Sequence, residues 1–213
     1  MRARGTDCST GGTSRPGRRR GDRPVCTICR SGTRATSGGR RTLGFAEHLP
    51  FADDSFDLAL AQLVVHFMTD PVAELSEMQR VTRPGGLLAA CVWDHAGDGG
   101  PLATFWRAAR DVDSDTRNES ELAGAREGHL AELCRASGLK VIEDTKLTVT
   151  VTVGFATFAD WWKPYTLGVG PAGAHVTQLD HSSRESLRTR CAELLPPAPF
   201  EVAASAWCVR ARA

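Results

Sequence analysis

The sequence predicts an α/β domain over residues 44–213, and three observations predict it. A nearly continuous apolar run over residues 56–65 (FDLALAQLVV) is bounded by Asp53, Asp54 and Ser55 before it and by Thr69 and Asp70 after it. Such a run is expected of a strand buried on both faces of a parallel sheet. Asp70 then stands as an N-cap with Pro71 in the first helical position, and Val72, Leu75, Met78 and Val81 make an apolar stripe that Pro84-Gly85-Gly86 ends. A second apolar run, LLAACVW over residues 87–93, follows directly, so strand, helix and strand succeed one another as in a parallel crossover unit.

The later elements follow from local pattern. A Gly-rich loop over residues 96–101 precedes a short helix over 102–112 with Phe105, Trp106 and Ala109 facing inward. Leu130, Leu133 and Cys134 mark another helix, closed by Gly138 at the position that favours a left-handed residue. Residues 141–153 alternate, with Val149, Val151 and Val153 on one face, and residues 200–209 alternate in the same way, so both read as strands toward the sheet edge. Between them lies a helical insertion over about 157–195 that holds Phe158, Trp161, Trp162 and Tyr165. Its aromatics suit either a lid over a ligand site or an anchor onto the sheet.

At 213 residues and 41% hydrophobic content the chain fits one domain with a sizeable core. No apolar run approaches the roughly 18–20 residues that span a bilayer, and the Met1 end lacks a secretory signal, which places the protein in the cytoplasm. Seven scattered cysteines, Cys8, Cys26, Cys29, Cys91, Cys134, Cys191 and Cys208, suit reduced thiols better than a disulfide framework. The net charge of +1 hides an asymmetry: eleven arginines against Asp7 and Asp22 make residues 1–43 about +9 and leave about −8 for residues 44–213. Rich in Arg, Gly, Ser and Thr, residues 1–43 show no period and read as a disordered segment.

Three blocks carry a resemblance: GFAEHLPFADDSFD at residues 44–57, the LVVHF segment at 63–67, and LSEMQRVTRPGGLLAACVW at 75–93. Together they resemble class I S-adenosylmethionine-dependent methyltransferases, most closely the small-molecule enzymes related to ubiquinone and menaquinone biosynthesis. The resemblance covers about residues 44–213 and implies the C-terminal half of a doubly wound, Rossmann-like sheet with a helical insertion before its last strand. It implies S-adenosylmethionine as cofactor and a small-molecule methyl acceptor, with membranes excluded and nucleic acid disfavoured as partners.

Ligands of doubly wound sheets sit outside the carboxyl ends of the strands. By resemblance, Phe45, Ala46 and Glu47 approach the adenine, with Phe45 standing where many relatives carry an acidic residue. Gln62 and Leu63 end the next strand beneath the cofactor, and His66 and Phe67 face the methionine portion or the acceptor. Asp94 and His95 end the following strand on the same side. His66 or His95 can take a proton from an acceptor, although a surface or packing role is the more common one for a histidine. Methyl transfer from a sulfonium depends mainly on alignment, so a general base is not obligatory.

The glycine-rich turn that grips the cofactor in this family, of the D/E-x-G-x-G-x-G type, does not occur before Gly44, where glycines fall among arginines with no preceding apolar run. Three readings of residues 1–43 stay open: a misread or frame-shifted N-terminus, a disordered basic tail on a shortened relative, or a small separate element marked by Cys26-Thr27-Ile28-Cys29. One CxxC without a second ligand pair signals no metal site. Without its first strands the sheet would expose an apolar edge, for which a second copy of the chain is a candidate cover. The sequence therefore supports a methyltransferase impaired in cofactor binding. A non-catalytic module with a basic nucleic-acid-binding arm is the alternative.

Overall fold

Asp70 decides where the first helix begins. Its carboxylate accepts the Ala73 N–H at 3.0 Å and Pro71 fills the first turn, so helix α1 runs over Pro71–Val81. Around it the computed structural model, which describes residues 44–213, places strand β1 (Phe56–Gln62) and strand β2 (Thr82–Trp93), paired in parallel from Leu58↔Leu87 to Gln62↔Cys91. The Arg-rich segment and the Cys26–Cys29 pair lie outside the described residues. Helix α2 (Ala103–Val112), helix α3 (His129–Ala136) and strand β3 (Lys140–Phe155) follow. Helices α4 (Phe158–Trp162), α5 (Gly170–Gln178) and α6 (His181–Leu194) come next, and strand β4 (Phe200–Arg212) closes the chain.

The sheet order is β1-β2-β4-β3, with β4 antiparallel to both neighbours. This is an open α/β sheet whose parallel pair carries the crossover helix and whose β1 forms one edge among the described residues. One expectation fails here. Strand β3 is an edge strand but β4 is interior, because it inserts between β2 and β3, pairing with β3 along its length and with β2 from Ala206 to Arg212.

Three local expectations also need correction. The apolar run does not continue as a strand to Val65: β1 stops at Gln62, Leu63 turns to φ 57°, and a 3-10 turn covers Val65–Phe67. The Leu63 N–H still reaches the Cys91 carbonyl at 2.9 Å, so the departure is a sharp turn off the end of the ladder.

Pro84-Gly85-Gly86 does not end α1. The helix ends at Val81, Thr82 is already in the sheet, and the register jumps from Phe56↔Thr82 to Leu58↔Leu87, leaving an outpocketed segment in β2. Gly85 has φ 76°, and a Cβ on Gly86 would stand 2.8 Å from the Arg83 carbonyl oxygen and 3.0 Å from that of Asp57. The two glycines therefore serve a bulge and a close backbone approach.

Finally, among the described residues β1 is covered on one face only. Ala59, Ala61, Leu88, Ala90, Val92, Val209 and Ala211 pack with Leu75, Met78 and Val81 of α1 and Leu130, Ala131 and Cys134 of α3. On the opposite face Leu60 is 56% exposed.

A second core forms away from this one. Phe105, Trp106 and Ala109 of α2 pack with Trp161, Trp162, Tyr165, Val176, Leu187 and Cys191 of the insertion, and Tyr165 stacks on Phe105 with ring centroids 4.6 Å apart. The insertion's aromatics thus anchor it to α2. Its start is fixed by a reciprocal cap, in which Thr157 Oγ1 accepts the Asp160 N–H and Asp160 accepts the Thr157 N–H. Cys134 and Cys191 are buried free thiols, and Cys208 donates to Cys91 Sγ at 3.0 Å across β2 and β4. Among the described residues no helix is long and apolar enough to cross a membrane.

Candidate active site

The carboxyl ends of β1 and β2 lie side by side, and the turns that leave them carry the candidate chemistry. His66 sits in the 3-10 turn after β1, and His95 is the second residue after β2. Both are buried, at 6% and 7% exposure, and their ring centroids lie 5.6 Å apart. A third residue joins them from the irregular segment between α2 and α3: Glu119, 4% exposed, with Oε2 3.9 Å from His95 Nδ1. One donor atom from each of the three lies within 4.8 Å of the others.

Glu119 is fixed from outside the cluster. Trp106 Nε1 donates to its Oε2 at 2.8 Å, so the second core sets the position of the carboxylate. The two histidines are less satisfied: His66 Nδ1 and His95 Nε2 are buried without a hydrogen-bond partner. Burial, with the nearby His95 second, pushes His66 down to about 4. Burial also holds His95 below its usual range, against the opposing pull of Glu119 and Asp94. Both rings are therefore neutral near pH 7, and the His95–Glu119 approach is a polar contact between a carboxylate and an uncharged ring.

Asp94 belongs to a different network. Its Oδ2 lies 2.6 Å from Lys146 Nζ of β3, while Oδ1 accepts the Gly97 N–H at 2.9 Å and Trp207 Nε1–H at 3.1 Å. Burial raises the Asp94 carboxyl, but these partners together outweigh it and leave the group below the ordinary carboxylate range. Asp94 thus ties β2 to β3 and β4.

The predicted cofactor residues divide. Gln62 is exposed at the last position of β1, and Leu63 follows in the left-handed region, a conformation that costs a non-glycine residue energy and often marks functional turns. Phe45, Ala46 and Glu47 lie in a separate turn, closed by the His48 N–H to Phe45 carbonyl bond at 3.1 Å. Phe45 is 54% exposed, Ala46 is buried, and the Glu47 charge reaches Glu74 at the start of α1.

The segment that follows this turn, residues 49–53, is held by a clamp between two of the sequence blocks. Arg80 donates to the carbonyls of Phe51 and Leu49 at 2.9 and 3.1 Å and to Asp53 Oδ1 at 2.6 Å, while Glu77 binds Arg80 and accepts the Leu49 N–H at 2.8 Å. The E-x-x-R spacing on α1 places both side chains on one helix face toward residues 49–53. Sequence reading missed the clamp and missed Glu119. The first had a signal in the paired motifs, whereas Glu119 had none, because nothing periodic surrounds it. The larger surface groove, about 650 Å³ along α6 beside His181, Glu185 and Arg190, lies on a different element from these residues.

Comparison with known proteins adds a lineage. Residues 8–90 match the family described as the methyltransferase domain, a match that begins upstream of Gly44 and ends within β2. The demethylmenaquinone methyltransferase of Mycobacterium sp. (strain KMS) is 49% identical over 51 residues, 24% of this chain and 22% of that protein. An uncharacterised methyltransferase of Mycobacterium sp. (strain JLS) is 40% identical over 91 residues, 41% of this chain and 36% of that protein. The chain thus spans about a third or less of the length of these relatives. A crystal structure of a Bacillus halodurans protein assigned to the methyltransferases superposes with a TM-score of 0.46 at 16% identity, covering 79% of this chain and 75% of that one.

Proposed function

We propose that the chain is a class I S-adenosylmethionine-dependent methyltransferase that methylates a small molecule in the cytoplasm at the carboxyl edge of β1 and β2. The observation that carries the reading is the meeting of His66, His95 and Glu119 beside Gln62 and Leu63, at the strand ends where doubly wound sheets take their ligands. The residues present fit one wall of the cofactor: an exposed Phe45 ring, the buried Ala46, the Gln62 amide and the turned backbone of Leu63. When bound, S-adenosylmethionine supplies an electrophilic methyl carbon on a sulfonium.

The chain's own contribution is alignment and dryness, which are the main requirements of this transfer. Phe45 and Ala46 form the adenine side, and the Arg80–Glu77 clamp fixes the residues 49–53 that follow them. Gln62 and Leu63 support the region between adenine and sulfur. His66 and His95, buried and neutral, stand beside the acceptor's place. The glycine-rich turn of the family type does not occur before Gly44, which supports weak cofactor affinity in this reading.

Calorimetric titration of the full chain with S-adenosylhomocysteine tests this. The expected result is saturable but weak binding, above about 10 µM, or less than about 7 kcal/mol, and weaker still in Phe45→Ala and Gln62→Ala. Absence of any saturable heat would remove the enzyme reading.

A further inference from the structure

Among the described residues, one buried cluster has more donor capacity than partners. His66 Nδ1 and His95 Nε2 are unpartnered, both rings are more than nine-tenths buried, and Glu119 brings a carboxylate into the same space. A buried polar atom without a partner is costly, and two on adjacent rings beside a carboxylate call for a common acceptor of lone pairs. The His95 nitrogen nearest Glu119 is Nδ1, 3.9 Å from Oε2, so a cation held by one nitrogen of each ring and by Glu119 would gather the three groups and balance the carboxylate charge.

We propose that His66, His95 and Glu119 form a binding site for a divalent transition-metal ion. Two imidazoles and one carboxylate are the donor set that suits zinc or ferrous iron, and three protein ligands leave coordination positions open. Donors about 2.1 Å from a shared ion stand roughly 3 to 3.5 Å apart, so the 4.8 Å cluster closes by rotating side chains about an ångström. The outer support is already in place, since Trp106 Nε1 fixes Glu119 Oε2.

The ligands also come from three separate segments: the turn after β1, the end of β2 and the loop before α3. An ion there faces the strand ends, where its open positions would take oxygen atoms of the methyl acceptor, a hydroxyl or an enolic oxygen. That last step rests on the methyl-transfer reading; the metal site itself does not.

Co2+ titration of the chelator-treated full chain, followed by its absorption, is the test, because it separates this site from the cysteines. The expected result is one equivalent bound, with ligand-field bands in the visible and no thiolate charge-transfer band in the near ultraviolet. His66→Gln, His95→Gln and Glu119→Gln should each weaken binding by more than about tenfold, and Co2+ should raise the thermal midpoint of the parent chain but not of Glu119→Gln. If a variant fails to fold, the parent spectrum decides: ligand-field bands alone uphold the site, and a thiolate band that disappears in Cys26→Ser/Cys29→Ser overturns it. No binding, or binding indifferent to all three substitutions, also overturns it. Homocysteine-nucleoside binding without Co2+ binding would sink the metal site and leave the methyltransferase reading standing, and the reverse result would do the opposite.

Discussion

The two cores of this molecule are built from different materials and contribute different things to one site. The core between the sheet and α1/α3 is aliphatic, Leu75, Met78, Val81, Leu88 and Leu130 among its members, and the turns leaving its strands deliver His66 and His95. The core between α2 and the insertion is aromatic, centred on Phe105, Trp106, Trp161 and Tyr165, and through Trp106 it delivers Glu119. The site is therefore a joint between the βαβ unit and the helical region. Chemistry that needs all three side chains depends on both.

The sharpest way to break this comparison is to damage each core equally and watch the site. Phe105 has no exposed surface and stacks on Tyr165, so Phe105→Ala should cost about 3 to 5 kcal/mol in urea denaturation. It should also loosen Trp106 and with it Glu119, so Co2+ binding by the folded fraction should fall. Leu75, likewise fully buried, should cost about 2 to 5 kcal/mol as Leu75→Ala, yet leave Co2+ binding by the folded fraction nearly unchanged. Equal loss of binding in both variants would mean that the cores do not divide the work in this way.

A smaller and more selective effect is expected at their junction. Trp106→Phe keeps an aromatic ring in the core but removes the indole N–H that Glu119 accepts, along with part of the indole's volume. Leaving that buried carboxylate without its donor should cost about 1 to 3 kcal/mol. Because Glu119 is then free to rotate, Co2+ affinity should drop while far-ultraviolet circular dichroism stays the same. Unchanged affinity would place the control of Glu119 elsewhere.

How much of this was legible in the sequence follows the same division. The β1–α1–β2 unit was readable because each signal is local: Asp70 and Pro71 start the helix, and the stripe from Val72 to Val81 sets its buried face. Its details were not, because Leu63's positive φ and the bulge at Gly85-Gly86 arise from register between strands more than twenty residues apart. The one-sided burial of β1 was unreadable for a related reason. An apolar run shows what can be buried, while exposure of Leu60 depends on which layer is present to cover it. Glu119 was unreadable outright, since its importance comes from Trp106 thirteen positions earlier and from two histidines on other elements.

The clamp between Glu77 and Arg80 lies between these extremes, and it yields the smallest effect. The Arg80 hydrogen bond is the leading cause that holds the Glu77 carboxyl below its ordinary 4.5, with burial opposing it. A carboxyl whose folded-state value is depressed stabilises the fold fully above its unfolded value, and that contribution is lost as pH falls through the folded one. The parent chain should therefore exceed Glu77→Gln in stability by about 1 kcal/mol at pH 7, below the full range of a charged hydrogen bond because Arg80 is partly exposed and the pair is screened. The gap should begin to close below about pH 4.5, measured by urea midpoints across the pH series. Because the clamp holds residues 49–53 and not the histidine cluster, Co2+ affinity at pH 7 should be the same in both chains. The S-adenosylhomocysteine affinity, which depends on the Phe45 turn, should be lower in Glu77→Gln. A gap that widened on acidification would mean that Glu77 is held by something other than Arg80.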